Sequence, residues 1–208
     1  MTSVERILLA TTNPAKAERS AWLVAGLPLD PCLPSGLGLQ LPAYVLERGD
    51  SFVENAAEKA CAWSVLAPGI LALASDGGLR IPALGRTWDE LRTKRNAGEG
   101  AGSSRRISHL LGLMDGFHGA DRATVWCEAL ALARDGVLIN TWTASGDGGV
   151  LVEHYAAHES DDEFWTESIR MQPTLGKLYR DMSEEEIARF DTAWPALREQ
   201  VRAYFLRP

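Results

Sequence analysis

The chain has 208 residues, with 21 lysines and arginines against 28 aspartates and glutamates, which gives a formal net charge of −7. Hydrophobic residues make up 46% of the chain, enough for a folded core and too many for a disordered protein. The acidic balance argues against a nonspecific nucleic-acid binder, which presents a basic face. No apolar run approaches the roughly 18 residues of a membrane helix, and the three cysteines form no metal motif. We expect one domain over residues 1–208, in the cytoplasm, with neither nucleic acid nor membrane as a partner.

The N-terminal segment predicts a strand followed by a helix. The apolar run over residues 6–11 is typical of a strand that is buried on both faces. Asn13 can cap a helix and Pro14 suits its first turn, so we predict a helix over about residues 15–24. Residues 27–42 are rich in proline and glycine and predict an irregular connection.

A second helix and a second buried strand follow. Ser51, with Glu54 three residues later, has the spacing of a capping box at the start of a helix. The apolar run over residues 70–74 predicts another buried strand, which we expect to end abruptly at residues 75–78, Ser-Asp-Gly-Gly.

The second half of the chain predicts a helix, a hairpin and a long C-terminal helix. Residues 107–114 have helical periodicity, and residues 123–133 and 137–143 flank an Asp-Gly turn typical of a β-hairpin. The glycine-rich residues 145–149 predict a further turn. Ser183 and the three glutamates after it predict the start of one long final helix.

The turn after the first strand has the composition of an anion site. Thr11, Thr12 and Asn13 supply two hydroxyls and an amide, and Lys16 adds a positive charge one turn later. In α/β folds ligands bind beyond the carboxyl ends of strands, where helix N-termini attract anions. The segment therefore predicts a phosphate site, although an ordinary capped helix with a surface lysine explains it equally well.

A second group of residues predicts a metal site. Glu54 and Glu58 are four residues apart and share a helix face, and Asp76 follows the second buried strand. Carboxylates are the ligands that Mg²⁺ prefers, and Gly77 and Gly78 would let backbone amides approach a ligand closely. Together with the phosphate site, these residues are what a metal-bound polyphosphate requires.

Three motifs resemble the signatures of the inosine triphosphate pyrophosphatase family, in the family's order. Residues 10–16 are similar to Ala-Thr-x-Asn-x-x-Lys. Residues 47–60 are similar to the run acidic-Gly-x-Ser/Thr-Phe-x-Glu-Asn-Ala-x-x-Lys-Ala, and residues 74–79 to Ala-Asp-Asp-Ser-Gly-Leu. The resemblance implies an α/β fold with a mixed central sheet flanked by helices, two lobes around a cleft, a smaller lobe within about residues 105–180, and a homodimer.

The resemblance also implies an activity and its residues. The family hydrolyses a nucleoside triphosphate, with noncanonical purine bases, to the monophosphate and pyrophosphate with Mg²⁺. Asp76 and Lys16 would be catalytic, with Asp76 activating the attacking water, and Glu54 and Asp76 would bind the metal. The implied substrate-binding residues are Thr11, Thr12, Asn13, Lys16, Gly77, Gly78 and Lys177.

The chain departs from the family pattern at several positions. Ser75 and Gly77 replace the first aspartate and the serine of the third motif, and the family's base-binding Gly-Phe-Gly-Tyr-Asp-Pro and Ser-His-Arg motifs are missing. Phe164 and Trp165 stand where the base loop is expected, and a ring that stacks on a base, a dimer contact and plain packing all remain open. The alternatives to the family activity are a pyrophosphatase with a shifted substrate and a catalytically inactive nucleotide-binding or regulatory protein.

Overall fold

The structure is a computed structural model that describes residues 4–40, 48–156 and 165–207. In chain order its strands and α-helices are β1 (Glu5–Leu9), α1 (Pro14–Val24), β2 (Leu29–Cys32), α2 (Phe52–Leu66), β3 (Leu71–Arg80), α3 (Ser103–Leu113), β4 (Ala123–Arg134), β5 (Val137–Leu151), β6 (Arg170–Gln172), β7 (Lys177–Leu178), α4 (Glu184–Phe190) and α5 (Ala193–Phe205). No helix in these three ranges is long and apolar enough to cross a membrane.

The strands form one mixed sheet in the order β2-β1-β3-β4-β5-β6-β7. β1 pairs in parallel with both β2 and β3, whereas β6 pairs antiparallel with β5 and β7. The predicted fold class, a mixed α/β sheet with helices, is confirmed. The predicted hairpin is confirmed as well, because only Asp135 and Gly136 separate β4 from β5.

The chain divides into two compact units, and the first comprises Met1–Gly77, Glu128–Ala144 and Ala193–Pro208. Its core combines apolar side chains from the strands with those of the two helices that contact each other, α1 and α5. Its members include Ile7, Leu9, Leu23, Leu73, Leu130, Trp142, Trp194 and Leu197. Side chains from the five strands β1 to β5 and from the two helices thus pack together in this core.

The second unit comprises Gly78–Cys127 and Ser145–Thr192. Its core includes Leu79, Ile107, Met114 and Trp165. The buried guanidinium of Arg122 donates hydrogen bonds to four backbone carbonyls, those of Met114, Phe117, Leu151 and Val152. Burial lowers the pKa of Arg122, and the four acceptors satisfy donors that would otherwise be costly to bury.

Two predicted strand ends are wrong, because both strands continue through the glycines that suggested turns. β3 runs on through residues 75–78, because Leu79 and Ile81 continue the buried pattern beyond the glycines. β5 likewise continues through residues 145–149 to Leu151. A Cβ on Gly148 would lie 2.4 Å from Oγ1 of Thr124, so this glycine permits close packing within the sheet.

The predicted irregular connection over residues 27–42 contains strand β2, so that prediction is wrong for Leu29–Cys32. Proline lacks an N–H donor and is tolerated only where no ladder bond is needed. Pro31 meets this condition because β2 is the edge strand of the sheet.

The predicted long final helix is two helices, α4 and α5, separated by Asp191 and Thr192. Ser183 caps α4 as predicted, with a complete capping box to Glu186. In a continuous helix Pro195 could not donate to the carbonyl of Asp191 and its ring would clash there. A new helix that starts at Ala193 places the proline in its first turn, where no such bond is required.

Candidate functional site

The turn over residues 11–16 joins β1 to α1 as the sequence predicts. The Asn13 side chain caps α1, its Oδ1 accepting a hydrogen bond from the backbone N–H of Lys16 at 3.2 Å. Oγ1 of Thr11 accepts from the backbone N–H of Asn13 at 3.1 Å. These two bonds fix the turn, and because Pro14 has no N–H and the Lys16 N–H is used by the cap, the turn offers an anion mainly its side-chain hydroxyls and the Lys16 ammonium.

The register of β1 and β3 brings this turn to the sheet edge that carries Asp76. Leu9 pairs with Leu73 in the parallel ladder, and the Ala10 N–H donates to the Leu73 carbonyl at 2.8 Å. Parallel strands present their carboxyl ends at the same edge, so Thr11 to Lys16 leave the sheet on the side where Ser75 and Asp76 follow. The predicted phosphate turn and the predicted catalytic carboxylate therefore both follow the last paired residues of the parallel strands, Leu9 and Leu73.

Asp76 is almost fully buried, with 7% of the residue exposed. Its Oδ1 lies 2.8 Å from the Lys59 ammonium, and its Oδ2 accepts from the Asn55 side-chain amide at 3.0 Å. A buried carboxylate requires such compensation. Because each carboxylate oxygen has two lone pairs, both oxygens of Asp76 retain an acceptor site for a water or a metal ion.

The N-terminus of α2 carries the other predicted metal ligand. Ser51 caps the helix as predicted, its Oγ accepting from the Glu54 N–H at 3.2 Å. The reciprocal bond goes to a neighbouring residue: Oε2 of Glu54 accepts from the Asp50 N–H at 2.6 Å. Glu54 is exposed and Glu58 is partly exposed on the same helix, so both carboxylates are open to a ligand.

Lys16 differs from Lys59 in its partners. Lys16 is partly exposed, and no hydrogen bond or ion pair links its ammonium to a side chain within residues 4–40, 48–156 and 165–207. The Lys59 ammonium is held against Asp76. Of these two lysines, Lys16 carries the charge that a phosphate can reach without breaking an existing ion pair.

The remaining predicted site residues lie elsewhere. Gly77 and Gly78 are inside β3 rather than in a turn after it. Lys177 belongs to the second unit, where its ammonium donates to Oε1 of Glu186 at 2.5 Å. This contact is the main cause that lowers the pKa of Glu186.

Asn55 and Lys59 hold Asp76 but are not among the predicted site residues. The available signal is their spacing: residues 55 and 59 are four apart and occupy one face of α2, among buried Ala56 and Ala60. An amide and an ammonium on an otherwise apolar helix face require polar partners. What the spacing does not reveal is which carboxylate they meet.

The donor set suits a hard divalent cation that is held jointly with phosphates. Within the described residues, no three or more histidine, cysteine, aspartate or glutamate side chains cluster closely enough to bind a metal. Mg²⁺ is usually held by one or two carboxylates plus phosphate oxygens and waters. Asp76 and Glu54 provide such carboxylates, and the turn after β1 provides hydrogen-bond donors for phosphates. The residues present therefore fit Mg²⁺.

Trp165 packs in the core of the second unit and has 2% of its surface exposed. Of the alternatives open for this residue, plain packing is the one that the structure supports. Phe164 lies outside the described residues. The indole of Trp165 is therefore not a surface on which a base can stack.

Comparison with known proteins identifies the family of the chain. Residues 7–200 match the model of the Ham1 family. The chain belongs to the Ham1 family. A dITP/XTP pyrophosphatase of Anaeromyxobacter dehalogenans is 34% identical over 170 residues, covering 69% of this chain and 72% of that protein. A dITP/XTP pyrophosphatase of Thermus thermophilus is 30% identical over 199 residues, covering 96% of this chain and 91% of that protein.

Solved Ham1 structures have the same fold. A HAM1 protein from Coxiella burnetii superposes with a TM-score of 0.77 at 23% identity, covering 96% of this chain and 98% of that one. The Ham1 protein of Staphylococcus aureus superposes with a TM-score of 0.74 at 21% identity, covering 96% and 100%. These similarities extend over nearly the whole chain, so the mixed sheet and its helices are the fold of this family.

Proposed function

We propose that this chain hydrolyses a noncanonical nucleoside triphosphate to the monophosphate and pyrophosphate, as its dITP/XTP pyrophosphatase relatives are named to do. One observation carries the proposal. A buried carboxylate, Asp76, is held by Lys59 and Asn55 at the sheet edge where the capped N-terminus of α1 begins. A fixed carboxylate beside an anion-binding turn is the combination that phosphoryl chemistry requires.

The chain's own residues divide the work between binding and chemistry. The Thr11 and Thr12 hydroxyls and the Lys16 ammonium, at the start of α1, bind the triphosphate. Asp76 orients the attacking water and accepts its proton, while Lys59 and Asn55 keep the carboxylate in place. Lys177, bound to Glu186 in the structure, would have to exchange this partner for a phosphate.

A magnesium ion completes the proposal. Asp76 and Glu54 would hold it together with the phosphates, and when bound it would lower the pKa of a water and neutralise charge on the phosphoryl oxygens. Ser75 stands where the family motif has a second carboxylate, so this chain offers one ligand fewer at that position. We infer a weaker metal affinity, with half-maximal activity at a higher Mg²⁺ concentration than in a relative with both aspartates.

The base preference depends on residues other than the phosphate site. The Ser-His-Arg and Gly-Phe-Gly-Tyr-Asp-Pro motifs of the family are missing, and Trp165 is buried in a core. Discrimination between bases needs donors and acceptors matched to the base edge. We therefore propose a broader or shifted base preference, in a cytoplasmic enzyme that, as the family resemblance implies, works as a homodimer.

A panel of nucleoside triphosphates tests the proposed function. The triphosphates of inosine, xanthosine, deoxyuridine and the four common nucleosides are each incubated with the chain, with and without Mg²⁺. Both pyrophosphate and phosphate are quantified. We expect pyrophosphate, not phosphate, from at least one noncanonical substrate, and no release when EDTA removes the metal. Binding of a triphosphate without release over hours would instead support the inactive nucleotide-binding protein. Light scattering on the same preparation gives the oligomeric state.

A further inference from the structure

Asn55 is the most deeply buried polar side chain beside Asp76, with 1% of the residue exposed. It lies in the second turn of α2, between the buried residues Phe52 and Ala56. An amide removed from water costs stability unless its donors and acceptor are bonded. Its two hydrogen bonds therefore decide where its oxygen and nitrogen must point.

The backbone of Gly49 fixes the orientation of this amide. The Gly49 N–H donates to Oδ1 of Asn55 at 2.8 Å, and an N–H can only donate. The amide oxygen must therefore face Gly49, which places the Nδ2 donor 3.0 Å from Oδ2 of Asp76. The reversed amide would set two donors against each other at Gly49 and two oxygens against each other at Asp76.

The turn before α2 is packed closely enough to maintain this arrangement. A Cβ on Gly49 would lie 2.6 Å from Cβ of Glu54 and 2.9 Å from Oδ1 of Asn55. The next residue, Asp50, donates its N–H to the Glu54 carboxylate at 2.6 Å. Only glycine at position 49 lets the backbone come this close, so the turn and the first two turns of α2 form one bonded unit.

We propose that Asn55 is a positioning residue that sets the rotation of the Asp76 carboxylate, an inference that rests on the proposed function of Asp76. Lys59 alone attracts the carboxylate without fixing the plane of its two oxygens. The directional bond from Asn55 to Oδ2 fixes that plane, and the bond from Gly49 keeps the donor facing Asp76. The two remaining acceptor sites of Asp76 then point in constant directions toward water and metal.

Two substitutions separate this role from a purely structural one. Asn55→Leu keeps nearly the same side-chain volume and removes both hydrogen bonds without adding a charge, whereas Asn55→Ala removes both bonds and most of the volume. A positioning role predicts that both variants lose about 10- to 100-fold in kcat, the effect typical of groups that orient a ligand or catalytic group. KM for the triphosphate should stay within about twofold of its original value, because the phosphate-binding turn is unchanged.

Ser64→Ala is the matched control on the same helix. Ser64 is fully buried, donates to the Cys61 carbonyl at 2.8 Å and accepts from the Gly136 N–H at 2.8 Å, so its loss also removes two hydrogen bonds. We expect Ser64→Ala to lower Tm without lowering kcat. All assays are run at a temperature where circular dichroism shows every variant folded.

The results distinguish the inference from the function on which it rests. Wild-type kcat in Asn55→Leu, or a kcat loss in Ser64→Ala equal to that of Asn55→Ala, would overturn the positioning role while leaving the proposed function intact. A rise in KM at constant kcat would also overturn it, since that assigns Asn55 to substrate binding. If the unsubstituted chain releases no pyrophosphate from any triphosphate, the proposed function fails and the positioning role fails with it.

Discussion

The Lys59 ammonium lies 2.8 Å from Oδ1 of Asp76, and the two side chains are only 12% and 10% exposed. This ion pair joins α2 to β3, and its two residues are 17 positions apart in sequence. Charges removed from water are costly, so such pairs add little stability and are instead retained where a charge must be held in position. Here the charge that is held is the proposed catalytic carboxylate.

Removing one partner of this ion pair should lower the stability of the fold. Lys59→Met leaves the Asp76 carboxylate buried with its bond from Asn55, and we expect the free energy of unfolding to fall by about 3 kcal/mol. Urea unfolding at pH 7 measures the loss. The double variant Lys59→Met/Asp76→Asn should recover more than half of it, because no unpaired charge remains. If the double variant lost as much free energy of unfolding as the two single variants together, the broken ion pair would not be the cause of the instability.

Loss of Lys16, unlike loss of Lys59, should weaken substrate binding and leave stability unchanged. No side chain within the described ranges pairs with its ammonium, so Lys16→Ala should leave the free energy of unfolding within about 0.5 kcal/mol of its original value. KM for the triphosphate should rise about 10- to 100-fold, the effect of losing a charge-assisted bond to phosphate. Glu18→Ala, an exposed change on the same helix, is the control and should leave KM unchanged. An unchanged KM in Lys16→Ala would remove Lys16 from the phosphate site.

The glycines of β5 provide a test of the fold. Gly149 has φ +78°, and a Cβ there would lie 2.6 Å from the Met171 carbonyl oxygen. Gly149→Ala should therefore lower the free energy of unfolding by about 3 kcal/mol, through backbone strain plus overpacking. Gly116→Ala is the matched control, since Gly116 has φ +82° and open space around it; we expect a loss of about 1 kcal/mol. Equal losses would mean that β6 does not approach Gly149 as described.

The pair of Lys177 and Glu186 predicts a dependence of stability on pH. The Lys177 ammonium lowers the pKa of Glu186 from its ordinary value of 4.5. A lowered pKa in the folded state adds stability above the ordinary value, and this stability is lost as pH falls through the lowered pKa. Tm scanned from neutral pH to below pH 4 should therefore fall less steeply in Lys177→Met than in the unsubstituted chain. Parallel curves would show that the pair contributes nothing to the acid response.

Features that depend on neighbouring residues could be predicted from the sequence. Asn13, Ser51 and Ser183 each cap a helix by accepting from an amide three residues later, which a local pattern specifies. The C-terminal end of β1 can be predicted from an apolar run that ends in small polar residues. The turn that we propose to bind phosphate could therefore be predicted both from its composition and from its likeness to a family motif.

Features that depend on distant residues could not be predicted in this way. Gly148 suggests a turn by composition, and only the approach of Thr124 shows that it permits strand packing. The interruption between α4 and α5 is an exception, because Pro195 marks it locally and the prediction of one long helix from Ser183 overlooked this proline. The partners of Asp76 come from another element, so no pattern around residue 76 reveals them.

The most direct test of the account is the rate of pyrophosphate release by Asp76→Asn beside the unsubstituted chain, with deoxyinosine triphosphate and Mg²⁺. Asparagine has nearly the same shape but cannot accept the proton of the attacking water, so we expect the rate to fall by about 10²- to 10⁴-fold. Circular dichroism should show an unchanged fold. A rate in Asp76→Asn within about twofold of the original would contradict the account, because the water would then be activated by another group.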